Sequence, residues 1–232
     1  MAGYSLGIEA LDEIIGDIRE GTNLMLIGPP MSGKDSIVNH ILHNGLINRD
    51  ACIIVSTREP GENVLEWFQQ HGSGEEHIGI VDCVTKTLGL ATGDTDNIKR
   101  ASSPVDLTGI GVRISQYFEE FWVQRKIPEI RLCINSLSTI LMYSNLQTVF
   151  RFLHVFTGRV KAVKGFGIFV VEDQMHDPQT VATLKQLFDG MVEIREYASG
   201  HRIRVVGLSP RPTPWFDYVI EDWGIIFSKI EE

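Results

Sequence analysis

The stretch NLMLIGPPMSGKDS, Asn23–Ser36, decides the fold. It starts as a short apolar strand and runs into Gly28-Pro29-Pro30. Four residues separate Gly28 from Gly33, and Lys34 follows at once. SIVNHILHNGLINR (Ser36 to Arg49) then carries Ile37, Ile41, Leu42 and Leu46 at helical spacing. This order of strand, glycine-bounded loop, lysine and helix is that of a phosphate cradle. Glycines let the backbone wrap an anion, successive N–H groups point inward, and the helix offers its positive end. The residues expected to form it are Gly28, Pro29, Pro30, Met31, Ser32, Gly33, Lys34, Asp35 and Ser36, with ATP or ADP as the ligand.

The pattern G-x-x-x-x-G-K-[ST] is broken at Asp35, where a hydroxyl normally holds Mg²⁺. A carboxylate binds Mg²⁺ but repels phosphate when the metal is absent. The strand RLCINSLS is the best source of a second metal-holding group, and there Asn135 stands where an aspartate is usual. The carboxylate has moved from one position to the other. Two readings follow: a site that binds but no longer hydrolyses, or a rearranged one in which Asp35 holds Mg²⁺ directly and Asn135 through water. The strict octahedral demands of Mg²⁺ favour the first.

Further strand-like runs are CIIVST (Cys52 to Thr57), IGIVDCV (Ile78 to Val84), RLCINSLSTI (Arg131 to Ile140, with a turn) and FGIFVVED (Phe166 to Asp173). Helical stretches alternate with them: Asn63 to Gly72, Val112 to Arg125, Leu146 to Gly165 and Ala182 to Gly190. Leu88 to Gly111 reads as a long surface loop. Met191 to Leu208 reads as a hairpin turning at Ala198-Ser199-Gly200, and WGIIFSKI as a last strand. Alternation of this kind predicts an α/β fold, a mostly parallel sheet covered on both faces with an antiparallel hairpin at one edge. No internal repeat or linker interrupts the 232 residues, so one domain over residues 1–232 is expected.

With 43% hydrophobic residues, the chain can fill a full-sized core. The opening MAGYSLGIEALDEIIGD is acidic, without a secretory pattern, and no apolar run is long enough to span a membrane. A cytoplasmic protein is expected. The net charge of −9 weighs against a nucleic-acid surface. Cys52, Cys83 and Cys133 lie in apolar runs without metal spacing and read as reduced core thiols.

Four blocks resemble the KaiC-like ATPases of the RecA superfamily, most nearly the archaeal single-domain, RadA-related members. They are Leu6 to Asp35, STREPGEN (Ser56 to Asn63), RLCINSLSTIL (Arg131 to Leu141), and the closing segments Asp189 to Glu196 and Arg202 to Phe227. The resemblance implies a RecA-like nucleotide-binding domain whose site lies between subunits. It also implies a homo-oligomer, or a hetero-oligomer with RecA-like or signalling partners. Gly28, Gly33 and Lys34 match the family pattern, whereas Asp35 and Asn135 depart from it. Where the family has paired glutamates that activate water, this chain has Arg58-Glu59; Glu59 is the remaining candidate base, with Arg58 expected to lower its basicity. The hairpin's Lys-x-Arg is reduced to Arg204 with Val206, leaving Arg204 as the candidate trans finger. Glu172 matches a sensor position near the γ-phosphate.

The run Glu172, Asp173, His176, Asp177 reads as a solvated loop rather than a metal site, and its acidity opposes DNA contact. The aromatics of Phe118 to Trp122 and Phe150 to Phe156 read as helix faces packed on the sheet, His154 as a core or boundary residue, and Arg211 as a surface one. The leading expectation is a nucleotide-dependent regulator or assembly factor that hydrolyses ATP weakly or not at all. The alternatives are an active Mg²⁺-dependent ATPase and a recombination or repair accessory protein.

Overall fold

The run Asn23–Gly28 is buried at every position, as are Ala51–Ser56, Ile78–Asp82 and Phe166–Glu172. Strands buried on both faces belong in the middle of a parallel sheet. A computed structural model describes residues 3–90, 93–197, 200–221 and 224–229. In chain order the elements are α1 (Glu9–Ile15), β1 (Asn23–Gly28), α2 (Lys34–Ile47), β2 (Ala51–Ser56), α3 (Gly61–Gln70), β3 (Ile78–Asp82) and β4 (Ile98–Arg100). Next come α4 (Leu107–Phe118), β5 (Ile130–Asn135), α5 (Leu137–Tyr143), α6 (Leu146–Ala162), β6 (Phe166–Glu172) and α7 (Pro178–Lys185). The chain closes with β7 (Gly190–Tyr197), β8 (Gly200–Val206), β9 (Phe216–Glu221) and β10 (Gly224–Lys229).

The ten strands form one sheet in the order β10-β9-β8-β7-β1-β6-β5-β2-β3-β4. Pairing is parallel from β7 to β4 and antiparallel from β7 to β10. Side chains alternate between two cores, as the two-residue repeat of a strand requires. Leu24, Leu26, Cys52 and Ile54 join the core under α1, α2 and α3. Met25, Ile27, Ile53 and Val55 join the one under α4, α5, α6 and α7. The register sets Gly28 opposite Glu172 and Ser56 opposite Asn135, so four chain segments end together at one edge of the parallel sheet. Ligands of open α/β sheets bind at that edge.

Several expectations are corrected. The stretch Leu88 to Gly111 is not all loop: it contains β4 and the start of α4, which Asp106 caps by accepting from the Gly109 N–H at 2.8 Å. Buried Arg100 anchors that stretch by pairing with Glu62 and reaching the Gly93 carbonyl. Helix α7 begins at Pro178, capped by Asp177, and Gly190 starts a strand instead of ending a helix. Strand β9 was not expected, because prolines crowd the residues before it. His154 lies exposed on α6. Ala91, Thr92, Ala198, Ser199, Asp222, Trp223 and Ile230 lie outside the described residues. The three cysteines are free and buried. Burial pushes the Cys52 thiol up to about 12 and raises Cys83 and Cys133 as well, which makes them inert. Among the described residues, no helix is long and apolar enough to cross a membrane.

One buried charge pair ties the start of β5 to the rest of the sheet. Arg131, at 1% exposure, pairs with Asp50 at 2.6 Å and donates to the carbonyls of Ser5 (2.9 Å) and Ile41 (3.0 Å). Its guanidinium lies against the rings of Tyr4 and Phe166. Gly45 leaves room for it, since a Cβ there would stand 2.3 Å from Arg131 Nε. Removing one partner strands the other charge. Asp50→Ala is expected to lower unfolding free energy by about 3–5 kcal/mol in urea denaturation. Lys161→Ala, which breaks an exposed pair with Asp189, is expected to cost no more than about 1 kcal/mol.

Candidate functional site

The loop between β1 and α2 is shaped by its neighbours. Gly33 has φ 74°, the left-handed region that suits glycine, and a Cβ there would lie 1.9 Å from Ile220 Cδ1 of β9. Gly28 is constrained by space alone, with Ile194 Cβ of β7 2.7 Å from where a Cβ would stand. Met31 at the loop tip is 96% exposed, whereas Ser32 is buried and its carbonyl accepts a hydrogen bond from the Tyr218 hydroxyl. No side chain caps the N-terminus of α2, so its first N–H groups keep the anion-binding capacity of an open helix end.

Lys34 is 4% exposed and its ammonium is fully engaged. It donates to the Pro29 carbonyl, lies 3.4 Å from Ser32 Oγ, and pairs with Glu172 Oε2 at 2.7 Å. Glu172, the last residue of β6, is held in turn by α5: its N–H donates to Ser138 Oγ at 2.9 Å, and His176 Nε2 lies 2.9 Å from the same hydroxyl. Burial, only partly offset by Asp177, holds the His176 ring below the usual histidine range.

Arg58, on the turn after β2, is the hub of the site. Its guanidinium pairs with Asp35, lies 3.3 Å from Glu172 Oε1 and donates to Asn135 Oδ1 at 3.3 Å. Asn135 Nδ2 also donates to Asp35 Oδ1 at 2.9 Å. Loop, β2 turn, β5 end and β6 end thus meet through Asp35, Arg58, Asn135 and Glu172. Sequence reasoning set Arg58 beside Glu59, but the side chain turns to this cluster instead. Its charge still lowers the Glu59 carboxyl, but other causes outweigh it. Burial, then the Asp35 charge, lift the Glu59 carboxyl above the usual range, and Arg58 only partly opposes them. Glu59 lines a small pocket of 80 Å³ with Ser56, Asn63, Trp67 and Asn135.

Arg204 sits apart from this cluster. It pairs with Glu193, its register partner across the β7–β8 hairpin, at 2.6 Å, and its guanidinium covers Trp215 at 4.4 Å. Asp177 serves as a helix cap. Tyr218, Ile220 and Ser138 were missed as site residues. A signal for the first two exists in FDYVIE, where Phe216, Tyr218 and Ile220 alternate onto one face.

Many solved structures share this architecture, two from Pyrococcus horikoshii among them. One is an uncharacterized protein, PH0321, from Pyrococcus horikoshii, in complex with an unknown peptide. It matches with a TM-score of 0.75 at 16% identity, covering 98% of this chain and 100% of that one. The other is the KaiC-like protein PH0186 from Pyrococcus horikoshii OT3, with a TM-score of 0.69 at 14% identity, covering 97% and 98%. At such identities the likeness shows the fold, which is KaiC/RecA-like. No curated protein sequence matches the chain. A family model does match residues 21–194, from the start of β1 to the middle of β7, and on that ground the chain belongs to the family of unknown function DUF7504.

Proposed function

We propose that this protein binds ATP or ADP through the loop Gly28–Ser36 and acts as a nucleotide-dependent regulator or assembly factor, with hydrolysis slow or absent. The observation that carries the reading is the open N-terminus of α2. Gly33 is left-handed there, no side chain caps the helix, and buried Lys34 stands at its first turn. These groups fit a phosphate: N–H donors, a helix dipole and one ammonium converge on one place. Gly28 to Ser36 would wrap the phosphates, and Lys34 would exchange part of its contact with Glu172 and Pro29 for a phosphate oxygen. Glu172 then remains to orient the ammonium and to register the exchange.

Slow hydrolysis would follow from the residue that stands next to Glu59 in the chain. A general base must reach a positioned water, and a second carboxylate beside it is replaced by Arg58. Arg58 is turned into the Asp35 cluster, and a cation cannot take a proton from water as a second carboxylate would. The reading includes assembly between copies or with a RecA-like or signalling partner. In that role Arg204 would leave Glu193 to reach a neighbour's phosphates. DNA is not part of it, given the net charge of −9.

Three measurements test the reading. Calorimetric titration with ADP should give saturable binding, weakened by about 10-fold or more in Lys34→Ala, because a charge-assisted contact to phosphate is lost. Equal affinity in that variant, with its fold verified by circular dichroism, would place the nucleotide elsewhere. A phosphate-release assay on the wild-type protein should stay at background, and brisk turnover that disappears in Glu59→Gln would restore the ATPase reading. In sedimentation with ATP, any nucleotide-linked assembly should be lost in Arg204→Ala; unchanged assembly would remove the trans role.

A further inference from the structure

Mg²⁺ normally accompanies ATP in such a loop, and the residues at its two holding positions do not fit it. Mg²⁺ requires near-octahedral oxygen ligands at about 2.0–2.1 Å. Asn135 turns its NH₂ donor on Asp35 Oδ1, and its oxygen already accepts from Arg58. Asp35 Oδ1 is shared between that amide and the Arg58 guanidinium. A dication placed among these groups would face a guanidinium at contact distance and N–H groups where it needs oxygen.

We propose that the Arg58 guanidinium is a built-in replacement for the metal, so that this chain binds nucleotide polyphosphate without a divalent cation; the inference rests on the nucleotide reading above. Three observations carry it. The first is position: Arg58 reaches Asp35 on the loop, Asn135 at the end of β5 and Glu172 at the end of β6 together. The second is charge. Lys34 and Arg58 supply two positive charges against the two negative charges of Asp35 and Glu172, so the cluster is balanced without a metal. The third is spare capacity. A guanidinium has five N–H donors, and the contacts to Asp35, Asn135 and Glu172 engage three. The Arg58 side chain is 37% exposed, and Nε–H and one Nη1–H lie outside these contacts. Both Nη2 hydrogens are engaged, so phosphate oxygens would be met singly, by Nε–H and by the second Nη1–H. The same arrangement accounts for the Asp at position 35: a carboxylate there, costly beside bare phosphate, fixes the guanidinium that offsets it.

The test titrates a fluorescent ATP analogue into wild type and Arg58→Ala, each with magnesium and with EDTA. For the wild type, the Kd in EDTA should lie within about threefold of that in magnesium; in Arg58→Ala the two should separate by about tenfold or more. A parallel arm needs no nucleotide: Mn²⁺ is added to each protein and the free-ion signal is read by electron paramagnetic resonance. The wild type should leave the ion free, and Arg58→Ala, with Asp35 released, should take it up. Arg58→Gln serves in the same comparison if the alanine variant misfolds. A wild-type Kd that weakens about tenfold or more in EDTA overturns the proposal and leaves the nucleotide reading standing. Mn²⁺ uptake by the wild type overturns it too. Failure of the wild type to bind the analogue under either condition overturns both.

Discussion

The buried pair Lys34–Glu172 governs the rest of the site. Its contact is 2.7 Å, and the two side chains are 3% and 9% exposed. Charges so far from water must be paired, because leaving one alone is strongly destabilising. The pair therefore fixes the first turn of α2 to the last residue of β6. The β1–β6 register then follows at the site, with Gly28 opposite Glu172 and the Asp173 N–H bonded to the Gly28 carbonyl at 2.8 Å. Any anion bound by the loop must draw on a lysine already neutralised. The Glu172 backbone is fixed separately, its N–H donating to Ser138 Oγ, which also meets His176 Nε2.

The C-terminal strands belong to the site rather than merely closing the sheet. Ile220 of β9 lies over Gly33, and the Tyr218 hydroxyl holds the Ser32 carbonyl. Residues nearly 190 positions apart thus set the shape of one loop. Strand β9 reaches that place through β8 and β7, which is parallel to β1. The antiparallel edge is in this sense a lever on the loop. A change in how β9 and β10 are seated would act on the loop's backbone directly, and half-exposed Ile220 is the contact that would transmit it.

Much of this was legible in the sequence, for definite reasons. The β1–loop–α2 unit could be read because its apolar run, glycine spacing and helical repeat are local and agree with one another. The central strands could be read because burial on both faces leaves a continuous apolar signature. Strand β4 and the start of α4 could not, since three residues make too short a pattern and Asp106 is one polar residue among many in a Gly- and Ser-rich stretch. Strand β9 was hidden behind prolines. In the site, the identity of Asp35, Arg58 and Asn135 was legible but their relation was not. They lie 23 and 77 residues apart along the chain, and only the sheet register brings them into one cluster. That is why adjacency suggested an Arg58–Glu59 interaction where the fold makes an Arg58–Asp35 one.

Seen through that cluster, the departures at positions 35, 58 and 135 are one change rather than three. A carboxylate on the loop invites a cation, Arg58 supplies it permanently, and Asn135 can then give up its charge and bridge the two by accepting from one and donating to the other. Restoring an aspartate at 135 alone would add a negative charge to a balanced group. Restoring a hydroxyl at 35 alone would leave Arg58 without its charged partner on the loop. Each departure is stabilised by the other two, which is how a coupled set of contacts behaves and unrelated losses do not. A guanidinium fixed by Asp35, Asn135 and Glu172 can neutralise phosphate charge, but it carries no bound water to deliver. Glu59, its carboxyl raised by burial and by the charge of Asp35, lines a small pocket with Asn135 in which no other carboxylate takes part.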